Sequence, residues 1–160
     1  MASWYALIRP DSISVWEDPE VRRRLSHYYA VMVGRRPAKY RIVKRFEADF
    51  SPEEPTERLW ALHDSLAREF EELYRRVAEG DLKLENLKAP ERSFLDLKIE
   101  LLRRIVRSCH LCEWRCGVDR TRGMRGACGL DARVRVASAF LHMGEEAPLV
   151  PSGTIFFTGC

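Results

Sequence analysis

The first 108 residues of this 160-residue chain contain no cysteine; all five fall at or beyond position 109. No apolar run approaches the ~18 residues needed to span a bilayer. Met1 to Pro10 lacks the basic head and apolar core of an export signal, which makes the cytoplasm the expected compartment. Structural disulfides are not expected there, because the cytosol keeps thiols reduced. An excess of one charge is lacking too. The net charge of +3 is too small to imply a nucleic-acid partner by itself. What is present, 46% hydrophobic and 32% charged residues, is enough for an ordinary globular core.

Three helices are readable ahead of the cysteines. Asp18-Pro19-Glu20 has the form of an N-cap followed by proline, and Val21, Leu25, Tyr28, Tyr29 and Met32 recur at helical spacing up to Gly34. Arg35 to Phe50 has no clear period; Tyr40, Ile42 and Val43 fit either a short strand or an ordered connection. Ser51-Pro52-Glu53-Glu54 reads as a capping box. Leu59, Leu62, Leu66, Phe70, Leu73 and Val77 then form one stripe, stopped at Gly80. A third helix is expected after Pro90, with Leu95, Ile99, Leu102 and Val106 buried and Phe94, Leu101 and Ile105 widening the stripe. The last two helices are expected to pair as an antiparallel hairpin.

Beyond Cys128 the pattern changes. Arg133 to Ala137 alternates like a half-buried strand, and Gly153 to Thr158 reads as a buried strand bounded by Gly159. Of the four histidines, His63 has no cysteine or second histidine nearby, and it, His27 and His142 are expected at surface or capping positions. His110 lies between two cysteines, but four cysteines already complete the usual ligand set.

The cysteines follow the pattern Cys109-x2-Cys112-x3-Cys116-x11-Cys128. Such spacing turns several sulfurs toward one centre while the backbone wraps around it. Four thiolates repel unless a cation lies between them, which points to one metal centre. Gly117, Gly123, Gly126 and Gly129 supply turns and close approach, so that amide groups can face sulfur. Structural zinc sites favour two separated pairs of ligands, whereas here three ligands fall within eight residues. An iron–sulfur cluster is therefore favoured, with zinc as the alternative. Nine arginines between Arg103 and Arg135 face only Glu113, Asp119 and Asp131, an excess that suits either centre.

Cys109-His-Leu-Cys-Glu-Trp-Arg-Cys-Gly-Val-Asp-Arg and Gly123-Met-Arg-Gly-Ala-Cys-Gly resemble the cysteine-rich N-terminal segment of radical SAM proteins related to pyruvate formate-lyase activating enzymes. Ala139 to Leu149 and Ser152 to Cys160 resemble that family's approach to its first barrel strand, which runs into a Cys-x3-Cys-x2-Cys loop. The resemblance covers Ser108 to Cys160. It implies a four-iron–four-sulfur (4Fe-4S) cluster and makes Cys160 the first of three thiolates holding the cluster that binds S-adenosylmethionine. In the family that cluster reduces S-adenosylmethionine to a carbon radical, which takes hydrogen from a substrate; in the activating enzymes this is a backbone glycine of a protein partner.

The expected architecture is α/β: a mainly helical region at 1–107, a four-cysteine module at 108–132, and the first strands of an incomplete radical SAM (β/α) barrel at 133–160. The later cysteines and strands are missing from this chain, so it is expected to be inactive alone, the barrel being completed by a second polypeptide or a longer gene product. The competing reading is a zinc or cluster module that binds nucleic acid. Arg103, Arg104, Arg107, Arg115, Arg120, Arg122 and Arg125 would supply phosphate contacts there, with Trp114 available for stacking.

Overall fold

The computed structural model describes residues 4–159. They form two units, one drawn from the described parts of 1–29 and 133–160, the other from 30–132. This division differs from the three consecutive segments expected: the cysteine segment belongs with the helices of residues 30–107.

In the first unit, a 3-10 turn at Trp4–Leu7 is followed by α1 (Asp11–Ser14), a second such turn at Val15–Glu17, and α2 (Pro19–Arg24). Asp18 caps α2 as expected, its carboxylate accepting from the N–H groups of Glu20 and Val21 with Pro19 at the first helical position. The single helix expected up to Gly34 is instead two. Leu25 leaves helical geometry, and α3 (Ser26–Met32) begins after it. The break accompanies the packing of both Tyr28 and Tyr29 on the buried ring of Trp16, at centroid distances of 6.2 and 4.8 Å. In the same unit Arg9 donates to the carbonyls of Met143 and Glu145 while pairing with Asp11.

The strands of this unit are β1 (Val136–His142) and β2 (Ser152–Phe157), paired antiparallel with Ala139 opposite Ile155 and Phe140 opposite Thr154. The first lies three residues later than the alternation at Arg133 suggested. The burial expected of the second is corrected: Ile155, Phe156 and Phe157 are exposed, as are Phe140 and Leu141 of the first. β-branched and aromatic composition predicts a strand, but burial needs a covering layer, and a two-stranded ribbon does not provide its own.

The second unit holds α4 (Lys39–Val43), α5 (Thr56–Glu79) and α6 (Phe94–Arg107). The possible strand at Tyr40 to Val43 is a helical turn that buries Ile42 completely. The helical hairpin is present and antiparallel: Arg104 reaches Thr56, Lys98 reaches His63, and Phe94 packs on Phe70. Leu59, Leu66, Phe70 and Val77 line the core from α5, and Gly80 ends that helix at φ 91°.

Two boundaries differ from expectation. Glu54 accepts from the Ser51 N–H as the capping box requires, but the helix starts only at Thr56, because Pro55 keeps Glu54 out of helical geometry. On α6 the buried residues are Phe94, Leu97 and Leu101, while Ile99 and Leu102 are exposed. Apolar residues nearly encircle α6, so periodicity permitted two rotations. The backbone chooses one: the Phe94 N–H donates to Phe46 O at 2.7 Å and the Ala48 N–H to Arg92 O at 3.0 Å, pinning the start of α6. Among the described residues no helix is long and apolar enough to cross a membrane.

Candidate metal centre

The cysteine segment follows α6 without regular structure except a 3-10 turn at Arg120–Arg122. Its shape comes from backbone closures. The Cys109 N–H donates to Val118 O at 3.1 Å and the Gly117 N–H returns to Cys109 O at 2.9 Å, drawing Cys109 and Cys116 together. Between them the Arg115 N–H donates to Cys112 O at 3.0 Å, and Arg115 takes the left-handed φ of 38°. The Gly129 N–H donates to Gly126 O at 2.8 Å, forming the turn that carries Cys128. The Ala132 N–H closes on Arg120 O at 3.2 Å.

Arg120 is at the centre. It is buried, and its Nε donates to Cys109 Sγ at 2.8 Å, with Nη2 3.7 Å from Cys116 Sγ. The same guanidinium hydrogen-bonds Cys128 and donates to the Leu130 carbonyl. Three of the four predicted ligands therefore converge on one cation. The fourth, Cys112, lies exposed on the loop between Cys109 and Cys116. Among the described residues no three Cys, His, Asp or Glu side chains stand as they would around a metal ion. Cys160 lies outside the described residues.

The electrostatics favour thiolate. The Ala127 N–H holds the Cys116 thiol below its ordinary range, helped by the Val118 N–H, Cys109 and Arg120. The Leu130 N–H and then Arg120 lower Cys128 in the same sense. Cys109 and then Cys128 in turn push the Arg120 guanidinium upward. Gly126 is required for space: a Cβ there would lie 2.5 Å from Cys116 Sγ and 2.6 Å from Arg120 Nη2. The chemistry of the donor set fits a thiophilic cation, since softened thiols and inward-facing amides already surround a positive group.

Only the competing nucleic-acid reading assigns Arg120 a place, on a phosphate-binding rim, and no spacing rule moves it among the sulfurs. Arg104 also leaves that rim: it pairs with Glu100 and donates to Thr56 and to the carbonyls of Pro52 and Glu54. Arg103, Arg107, Arg115, Arg122 and Arg125 remain exposed, as does Trp114 at 76%. His110 turns to Ser108 O at 2.8 Å. His63 is not simply on the surface; it lies between Asp64 and Lys98 at 3.0 and 2.8 Å, against Trp60 and Phe94.

No family model matches the chain, and no solved structure matches it. A curated relative does. An uncharacterized protein of Methanocaldococcus jannaschii is 35% identical over 137 residues, covering 86% of this chain and 38% of the relative. The chain thus spans well under half the length of the curated relative it matches.

Proposed function

We propose that Cys109, Cys112, Cys116 and Cys128 hold one metal centre, a 4Fe-4S cluster in preference to zinc, in the N-terminal part of a cytoplasmic radical SAM protein similar to the pyruvate formate-lyase activating enzymes. The observation that carries the centre is the convergence of Cys109, Cys116 and Cys128 on the buried Arg120 cation. Loading requires that guanidinium to withdraw and the exposed Cys112 to turn inward. The inward amides of Ala127 and Leu130 would then donate to ligand sulfur, which lowers the charge that a bound centre must carry. A cluster of this kind supplies one-electron chemistry. The wider reading rests on the resemblance over Ser108 to Cys160, and the greater length of the matched relative leaves room for a barrel. Under it, Cys160 would start the cluster that binds S-adenosylmethionine, with the remaining ligands on further chain or on a second polypeptide. A protein substrate is the class the resemblance suggests.

The test is anaerobic purification with iron, sulfide and zinc measured per chain. A brown protein absorbing broadly near ~400 nm, with iron and sulfide in equal amounts, is the expected result. Colourless protein with one zinc per chain overturns the cluster. That outcome would favour the second reading, a zinc module binding nucleic acid, which the exposure of Trp114 beside five exposed arginines supports.

A further inference from the structure

A second concave site lies entirely within the unit of residues 30–132, far along the chain from the cysteines. It is built from residues 31–41 around the start of α4, the C-terminal end of α5, and residues 82–85 after it. Its volume is about 610 Å³, within the range of small-molecule sites.

Its charge is one-sided. Arg35, Arg36, Arg41 and Lys83 line it, and Glu85 is the one carboxylate that does. Among the described residues none of the four cations forms an ion pair. Four like charges sharing a concavity raise its potential, because low-dielectric walls focus the field. The lining is not wholly polar, however. Val77 and Leu84 are buried core residues that reach the cavity, with Leu82 partly buried beside them.

The loops leave recognition to side chains. The N–H groups of Arg35 and Arg36 both donate to Ala30 O, and those of Asp81 and Leu82 both donate to Arg76 O. Four of the loop amides are thus consumed in closing the two turns. Guanidinium groups remain, and their planar donor pairs suit phosphate oxygens.

We infer that this cavity binds an organic phosphate of nucleotide size, its phosphates held by Arg35, Arg36, Arg41 and Lys83 and its apolar or aromatic part laid on Val77, Leu82 and Leu84. A free inorganic anion would use the charges and leave the apolar floor wet. A nucleic-acid strand would follow an open basic surface, whereas these charges surround a cavity with an apolar base. The inference is independent of the metal centre.

The test uses the full chain with ATP, inorganic pyrophosphate and adenosine as probes, followed by titration calorimetry at two salt concentrations. ATP is expected to bind, more weakly at high salt. Pyrophosphate should bind at least tenfold more weakly than ATP, and adenosine should show no measurable heat. Arg36→Ala combined with Arg41→Ala should weaken ATP at least tenfold while the circular dichroism spectrum is unchanged, and Lys83→Gln alone should weaken it severalfold. Arg115→Ala, on the exposed cysteine loop, should leave it unaltered. The inference fails if ATP does not bind at millimolar concentration, or binds equally well to the double variant and to Lys83→Gln. It also fails if Arg115→Ala removes binding, or if a single-stranded oligonucleotide binds through Arg36 and Arg41 more tightly than ATP.

Discussion

Arg120 combines two roles that are usually separate, a cation among thiols and a clamp on the backbone at Leu130. Replacing it with glutamine removes the charge and leaves buried acceptors short of a donor, at a cost of about 1–3 kcal/mol. In metal-free protein, Arg120→Gln should therefore speed amide exchange across residues 108–132 by tenfold or more, while exchange in α5 stays unchanged. The sign of the pH dependence follows from the thiols. Cys116 and Cys128 have lowered pKa values in the folded chain, so their contribution is complete above the ordinary thiol range and is lost as pH falls through the lowered values. Protection of 108–132 should accordingly weaken on acidification. Arg120→Gln should only partly flatten that profile, because the Ala127 and Leu130 amides are the larger causes. Gly126→Ala gives an independent check. Its methyl group would occupy space held by Cys116 Sγ and Arg120 Nη2, so metal per chain should fall below half the parent value. Parent-like metal content in Gly126→Ala would show that the loaded segment is arranged differently.

Among the elements, α6 positions the cysteine segment, since Cys109 follows it by two residues. Its start is fixed by Ser93 and Asp96: the Ser93 hydroxyl accepts from the Asp96 N–H, and the Asp96 carboxylate accepts from the Ser93 N–H at 2.8 Å. Ser93→Ala should cost about 1 kcal/mol in urea unfolding. The Ser93 hydroxyl and amide hold the Asp96 carboxyl below the usual range, so this contribution is present above that range and lost as pH falls through the lowered value. A Ser93→Ala penalty that is the same at neutral and strongly acid pH would contradict the assignment. The cap was legible in principle, because Ser93-x2-Asp96 precedes an apolar run, but Ser51-x2-Glu54 fits the same pattern and lies before Pro55. The α5 stripe was legible because only one of its faces is apolar. The rotation of α6 was not, because two of its faces could be buried and the choice is made by residues 46–48 across the chain. The approach of Cys109, Cys116 and Cys128 was legible from spacing, but the exposure of Cys112 and the place of Arg120 among the sulfurs were not, since exposed and buried arginines look alike in sequence.

At the scale of the whole molecule, the two units differ in how well they satisfy their own apolar residues. The unit of residues 30–132 has an enclosed core at Ile42, Leu59, Phe94 and Leu97, all at 1% exposure or less, although Leu102 and Trp114 stay exposed on it. The β1–β2 ribbon does not: Phe140 and Phe156 stack at 5.8 Å yet are 47% and 51% exposed, with Leu141, Ile155 and Phe157 similarly open. Burying such surface is worth about 25 cal/mol per Å². Phe140 and Phe156 share one face of the ribbon and Leu141, Ile155 and Phe157 the other, so apolar surface is open on both faces, which is uncommon on an isolated domain. The 160-residue chain should therefore bind the dye ANS at neutral pH and associate with rising concentration, read as fluorescence and sedimentation. Phe156→Lys should reduce both, because it places a charge on the face that Phe140 and Phe156 share, and it should leave the melting temperature within about 2 °C of the parent, since this side chain is already half exposed. If Phe156→Lys instead lowers the melting temperature sharply with dye binding unchanged, Phe156 is packed in solution and the ribbon is covered by the chain itself.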